Sequence, residues 1–241
     1  MLAYFCHSTY IMKKIGLIGG VTWVSTQEYY RQINQAVNQR LGGFHSANML
    51  INSVDMGEIF PFLPIGDWDG LADYITKKVV ELKKAGADFF AIGSNTISKV
   101  GHQVSKNTGL PYVDIYEATS KAIAAKGLQK VALLGVAFTM KDEVYPNALA
   151  KHQIQTIIPS NTEMEITHEI IMTELGKAIF TKKSKKTYLD VINRMEKEEA
   201  VEGAILGCTE IPLLIKQADT ELPVFDTTAI HVKAILDYAF Q

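Results

Sequence analysis

Two hydrophobic periodicities alternate along this chain. Short, nearly unbroken apolar runs end at glycine. Behind each comes a stretch whose apolar residues lie three or four apart. The first pattern predicts a buried strand and the second an amphipathic helix. Lys14-Ile15-Gly16-Leu17-Ile18-Gly19 is the first run, in a strand predicted over 13–19. Ser25, with Glu28 three residues on, reads as a capping box opening a helix whose buried face is Tyr30, Ile33 and Val37. A strand over about 48–54 leads to an apolar loop over 60–67, then to a helix marked by Leu71, Tyr74, Ile75, Val79 and Leu82. Ala87–Gly93 is the next strand, ending at Ser94-Asn95-Thr96, with Ile97, Val100 and Val104 at helical spacing behind it. Residues 117–126 read as a connecting helix.

The alternation then starts again. A strand is predicted over 130–135, a helix near 141–152 and a strand over 154–158. A helical region runs from about 163 to 200, interrupted near 180–184. Another strand ends at Gly207-Cys208-Thr209-Glu210, with a short helix from Pro212 and a last helix containing His231. Leu110-Pro111-Tyr112-Val113-Asp114 and Leu222-Pro223-Val224-Phe225-Asp226 are the matching closing strands. Ser94 lies 80 positions after Lys14, and Cys208 lies 78 after Lys130. The expected fold is therefore α/β: two pseudo-symmetric halves, each a mostly parallel sheet flanked by helices, with the site in the cleft between them. The boundaries are 12–116 and 117–226, with 227–241 returning to complete the first half. Met1–Ile11 is a short leader without a positive n-region, expected to be disordered, and Met12 is an alternative start.

Composition narrows the chemistry. With 47% hydrophobic residues in 241, the chain can bury real cores. The net charge is −2, and the longest basic block, Lys182-Lys183-Ser184-Lys185-Lys186, reads as a solvated helix end, so no nucleic-acid partner is expected. No stretch approaches the length of a membrane span, and no membrane partner is expected. Cys6 and Cys208 have neither CxxC nor histidine spacing, which argues against zinc or a disulfide scaffold and for the reducing cytoplasm. Gly16–Gly20 is neither a dinucleotide fingerprint nor a phosphate loop. No metal and no cofactor are expected.

Cys208 is predicted at the carboxyl end of a strand, beside helix-start amides that favour a thiolate. Taken alone it reads as a buried structural cysteine; its repeat partner Ser94 makes it a candidate catalytic group. A cleft with an acid–base residue on each wall can take a proton from one face of a carbon acid and return one to the other, inverting it without a cofactor. Asn95, Thr96 and Thr209 stand where they could hold a carboxylate and the developing enolate. Thr22 occupies a strand-to-helix turn of the kind where ligands bind, and equally one where a hydroxyl bonds its own backbone. Thr139 holds the corresponding place in the second half. His231 reads as structural, and no oriented acid accompanies a Cys208–His231 pair as a hydrolase would need.

The segments Gly19-Gly20-Val21-Thr22-Trp23-Val24-Ser25-Thr26, Tyr29-Tyr30-Arg31, Ser94-Asn95-Thr96, Thr139-Met140, Gly207-Cys208-Thr209-Glu210-Ile211 and Pro223-Val224-Phe225-Asp226-Thr227-Thr228-Ala229-Ile230-His231 together resemble the aspartate/glutamate racemase family. The resemblance implies a cofactor-independent, cytoplasmic, homodimeric amino-acid racemase acting on a small molecule with a carboxylate. The family's two catalytic cysteines fall at Ser94 and Cys208, so Ser94 is a departure. Ser98 stands where many members have histidine. By register, Ile59 and Glu165 take the places of the family's basic anchors, Leu63 adds an apolar surround, and nothing places Lys141 or Arg31 as substitutes. Two alternatives stay open: a decarboxylase of the arylmalonate type using Cys208 alone, and a binding protein on the same scaffold. The substrate and its handedness are also open.

Overall fold

Two separate parallel sheets carry the chain. The computed structural model describes residues 12–241; the predicted leader 1–11, with Cys6, lies outside the described residues. The first sheet contains β1 (Ile15–Gly19), β2 (Met49–Ser53) and β3 (Phe89–Ile92), in the order β2-β1-β3. Around them run α1 (Trp23–Leu41), the short helices α2 (Met56–Ile59) and α3 (Phe62–Ile65), α4 (Trp68–Lys84) and α5 (Gly101–Thr108). Helix α6 (Ile115–Ala124) crosses to the second sheet. There β4 (Lys130–Leu134), α7 (Ala137–Met140), α8 (Val144–Ala150), β5 (Gln155–Ile157), α9 (Asn161–Thr173), α10 (Lys182–Glu199), β6 (Gly203–Leu206), α11 (Ile211–Leu214) and β7 (Val224–Asp226) follow, with sheet order β5-β4-β6-β7. All pairings in both sheets are parallel. Helix α12 (Thr227–Ala239) ends the fold.

Parallel strands covered on both faces read as continuous apolar runs, which is why Ile15, Leu17 and Ile18 of β1 are all fully buried. One face of the first sheet packs on Leu71, Ile75 and Val79 of α4 and Val104 of α5. The other packs on Tyr29, Ile33 and Val37 of α1 and on Val232, Ile235 and Ala239 of α12. The last helix thus lies against the first sheet.

Several local expectations change. Thr22, rather than Ser25, caps α1: its oxygen accepts from the Ser25 amide at 3.1 Å. Glu28 instead accepts from Arg31 Nε at 2.8 Å. The buried face of α1 uses Tyr29, while Tyr30 is exposed. Residues 110–114 form a single bridge, Phe90 to Tyr112, instead of a strand. Phe90 N donates to Pro111 O and Val113 N to Phe90 O, but Pro111 has no amide to extend the ladder. The helix expected near 141–152 is the shorter α8, and the separate single-turn helix α7 precedes it. Half of the apolar stretch 60–67 is helix α3, with Leu63 buried and Phe60 and Ile65 exposed.

His231 is fully buried and structural. Its Nε2 lies 2.9 Å from Val113 O, which can only accept, so Nε2 carries the proton and Nδ1 accepts from Tyr29 OH at 2.8 Å. Burial lowers its pKa to about 4.

Candidate active site

Both site positions arise from the same local construction. After β3, the Gly93 amide donates to Ile18 O at 2.9 Å, and Ser94 follows. After β6, the Gly207 amide donates to Leu134 O at 2.6 Å, and Cys208 follows. In each sheet the strand beside the one bearing the site residue thus anchors the turn by a carbonyl at its end, Ile18 next to the last residue of β1 and Leu134 the last of β4. A Cβ on Gly207 would sit 2.8 Å from Leu134 O, so only glycine fits there. Ser25, buried in α1, donates its hydroxyl to Gly93 O at 2.8 Å and fixes the first turn.

A cavity of about 590 Å³ opens between these two strand ends, and Ser94 and Cys208 both line it. Thr22, Asn95, Thr96 and Thr209 line it as well, while Thr139 does not. The Thr139 hydroxyl is buried against that of Thr96 at 2.9 Å, a bond between the two halves that occupies both groups. The Asn95 side chain is engaged elsewhere too. It donates to Thr227 Oγ1 at 3.1 Å and accepts from Tyr145 OH at 2.5 Å, locking the Ser94 turn to α8 and α12. Trp23, Phe60, Leu63, Phe138 and Met172 give the cavity an apolar wall.

The centre of the hydrogen bonding is Glu210, to which sequence reasoning gave no role. It is 1% exposed, and three donors converge on it. Cys208 Sγ lies 2.9 Å from Oε2, and Thr209 Oγ1 lies 3.0 Å from the same oxygen. The Thr22 hydroxyl reaches Oε1 from the first half. Thr22 is therefore both a helix cap and a contact across the cleft.

This arrangement reverses one expectation. Burial, then the charge and hydrogen bond of Glu210, push the Cys208 thiol well above its ordinary pKa, and the Thr209 and Glu210 amides oppose that only in part. The resting form is the thiol. Ser94 has no comparable helper: among the described residues no side-chain base bonds its hydroxyl. Its carbonyl accepts from Ser98 Oγ at 2.6 Å, so Ser98 braces the turn.

Lys177 is the basic side chain in the cavity lining, in the turn between α9 and α10, with Asp55 on the same lining. Neither Ile59, buried in the core, nor Glu165, exposed on α9, lines the cavity. Arg31 is bound to Glu28 and Gln35 on the outer face of α1, and Lys141 is also off the lining. Lys177 ends a single 3-10 turn, Leu175–Lys177, too short to show a periodicity, so the chain pattern gave no signal for it. Among the described residues, no group of three or more His, Cys, Asp or Glu is placed to hold a metal ion. No described helix is long and apolar enough to cross a membrane.

Comparison with known proteins finds matches over most of the chain. The family model described as Asp/Glu/Hydantoin racemase matches residues 18–235. The chain is 23% identical over 226 residues to the broad specificity amino-acid racemase RacX of Bacillus subtilis, covering 91% of this chain and 95% of that one. A Yersinia pestis protein solved as a candidate Asp/Glu racemase is 43% identical, with a TM-score of 0.87 over 95% of this chain and all of that one. An aspartate racemase homologue from Pyrococcus horikoshii is 33% identical, with a TM-score of 0.83 over 95% of this chain and all of that one.

Proposed function

The chain belongs to the Asp/Glu/hydantoin racemase family, and on that premise we propose that it is a cofactor-independent amino-acid racemase in which Cys208 and Ser94 serve opposite faces of one α-carbon. The observation that carries this reading is that the two residues, one from the end of each sheet, line a single cavity. At about 590 Å³ it has the size of a small-molecule pocket.

In the forward direction the Cys208 sulfur, having given up its own proton, takes the α-proton and the electron pair passes into an enolate. Ser94 then gives its hydroxyl proton to the opposite face and is reprotonated from solvent. A serine hydroxyl is a poor base beside a thiol but remains an adequate acid toward a carbanion. The enzyme therefore works best when Cys208 abstracts and Ser94 donates. Lys177 receives a substrate carboxylate and Asp55 the ammonium, while Trp23, Phe60 and Leu63 exclude water. Phe60, on the cavity lining, and Ile65 of α3 are both exposed and support a homodimer, and the cytoplasm is the expected compartment.

Solvent deuterium exchange into Cα of L- and D-amino acids, acidic and neutral, tests the proposal. Exchange with inversion, lost in Cys208→Ala, is the expected result; its absence from the whole panel would remove the racemase reading. The lack of any helper on Ser94 favours a second reading, a lyase that protonates one face only. Carbon dioxide release from an arylmalonate without amino-acid exchange would select it.

A further inference from the structure

We propose that Glu210 is a positioning and proton-holding residue for Cys208, so that thiol and carboxylate act as one unit and a proton removed from the substrate by sulfur displaces the thiol's own proton onto Glu210.

The geometry carries this. Glu210 is buried and, among the described residues, has no cationic partner; its donors are the Cys208 thiol at 2.9 Å, Thr209 at 3.0 Å and Thr22. A buried carboxylate is costly, and a glutamine could bridge the same hydroxyls at lower desolvation cost. What glutamine cannot do is accept a proton. The Thr22 and Thr209 bonds fix the carboxylate, and through it the sulfur, on the cavity wall.

The step balances. The Cα–H bond breaks and its electron pair stays on the substrate as enolate. Sulfur gains that proton while its original proton moves to Glu210. The reverse returns both. The cycle starts from the thiol hydrogen-bonded to Glu210, and no free thiolate is required.

The groups facing this pair are few. Tyr188 of α10 and Tyr29 of α1 lie within its field, both pushed up mainly by burial and so neutral across the working range. Lys177 and Asp55 share the cavity. The catalytic consequence rests on the racemase reading, but the pairing does not, and the substrate-free protein reports it.

The experiment is the pH dependence of iodoacetamide alkylation of Cys208, in a Cys6→Ser background, for the otherwise wild-type protein, Glu210→Gln and Glu210→Asp, alongside Cα exchange. The expected midpoint for the background protein is above that of an ordinary thiol. In Glu210→Gln it falls by about one unit or more, because the neighbouring charge is gone. Exchange from the Cys208 face nevertheless falls by about 100-fold, and Glu210→Asp recovers part of it. An unchanged midpoint in Glu210→Gln, or a lowered midpoint with exchange intact, overturns the proposal. If Glu210→Gln does not fold, an ordinary thiol midpoint in the Cys6→Ser protein overturns it equally. Absence of exchange in wild type would count against the racemase, while the alkylation shift would still decide the pairing.

Discussion

The Thr22 hydroxyl, at the end of the first sheet's central strand, donates to Glu210, two residues beyond Cys208 in the second half. The same oxygen accepts from the Ser25 amide and caps α1. One side chain therefore starts a helix and ties the halves together over the cavity. Thr22→Ser keeps both bonds and is expected to retain activity and stability. Thr22→Val keeps the shape and loses both, costing about 1 kcal/mol in cap stability and weakening the hold on Glu210. Urea unfolding and Cα exchange for the two variants are the measurements; equal behaviour would deny Thr22 this role.

Gly207 and Gly93 occupy equivalent turns under unequal constraint. A Cβ on Gly207 would meet Leu134 O at 2.8 Å and Leu133 Cδ1 at 2.9 Å, whereas on Gly93 the nearest atom is at 3.4 Å. Gly207→Ala must displace the strand end that carries Cys208 and is expected to destabilise by about 1–3 kcal/mol. Gly93→Ala is expected to be milder. Comparing their denaturation midpoints checks the asymmetry.

His231 predicts an acid limit to stability. Its folded pKa, about 4, lies below the ordinary value of 6.5 expected in the unfolded chain, because burial disfavours the imidazolium. Above pH 6.5 the histidine is neutral in both states and contributes no slope. As pH falls from 6.5 toward 4, the unfolded chain binds the proton first, so stability declines by about 3 kcal/mol from this group. Below that range the folded form titrates too and the decline from His231 stops. His231→Gln should flatten this part of the curve, read as the difference in urea midpoint between variant and wild type; a wild-type slope kept in the variant would place its origin elsewhere.

The strand ends were legible because they are written locally. An apolar run, a glycine and a small polar residue recur at Ser94 and Cys208, and the structure puts both on one cavity. Less local features were not legible. The sequence pattern chose Tyr30 over Tyr29 for the buried face of α1 because two tyrosines are adjacent and only tertiary contacts, such as that of Tyr29 with His231, choose between them. Residues 110–114 have the residues of a strand but not the amide that Pro111 lacks. Glu210 was visible in the Gly-Cys-Thr-Glu segment, but its meaning depends on Thr22, 188 residues away. Thr139 fits the repeat, yet its hydroxyl is claimed by Thr96.

Lys177 makes substrate charge testable. If its ammonium receives a carboxylate, Lys177→Met raises KM about 10-fold or more while kcat changes less, since the contact is made in ground and transition states alike. Lys177→Arg should recover part of the loss. Steady-state kinetics on whichever amino acid exchanges fastest decides it; a fall in kcat alone would assign Lys177 to the chemistry instead.

Ser94 gives the strongest test of the two-face arrangement, because substitutions there separate exchange from inversion. Cys208 can remove and return a proton on its own face without Ser94, so Ser94→Ala should still wash solvent deuterium into one enantiomer with its configuration kept. Inversion requires a donor on the opposite face and should fall by about 100-fold or more. Ser94→Cys restores a group that is both a competent acid and a competent base, and is expected to speed exchange into both enantiomers, most of all in the direction that needs position 94 to abstract. Chiral chromatography read against Cα deuterium content distinguishes these cases. Parallel loss of exchange and inversion in Ser94→Ala would mean that the hydroxyl positions the substrate for Cys208 and does not face the carbon. Unchanged rates in both variants would take position 94 off the proton path.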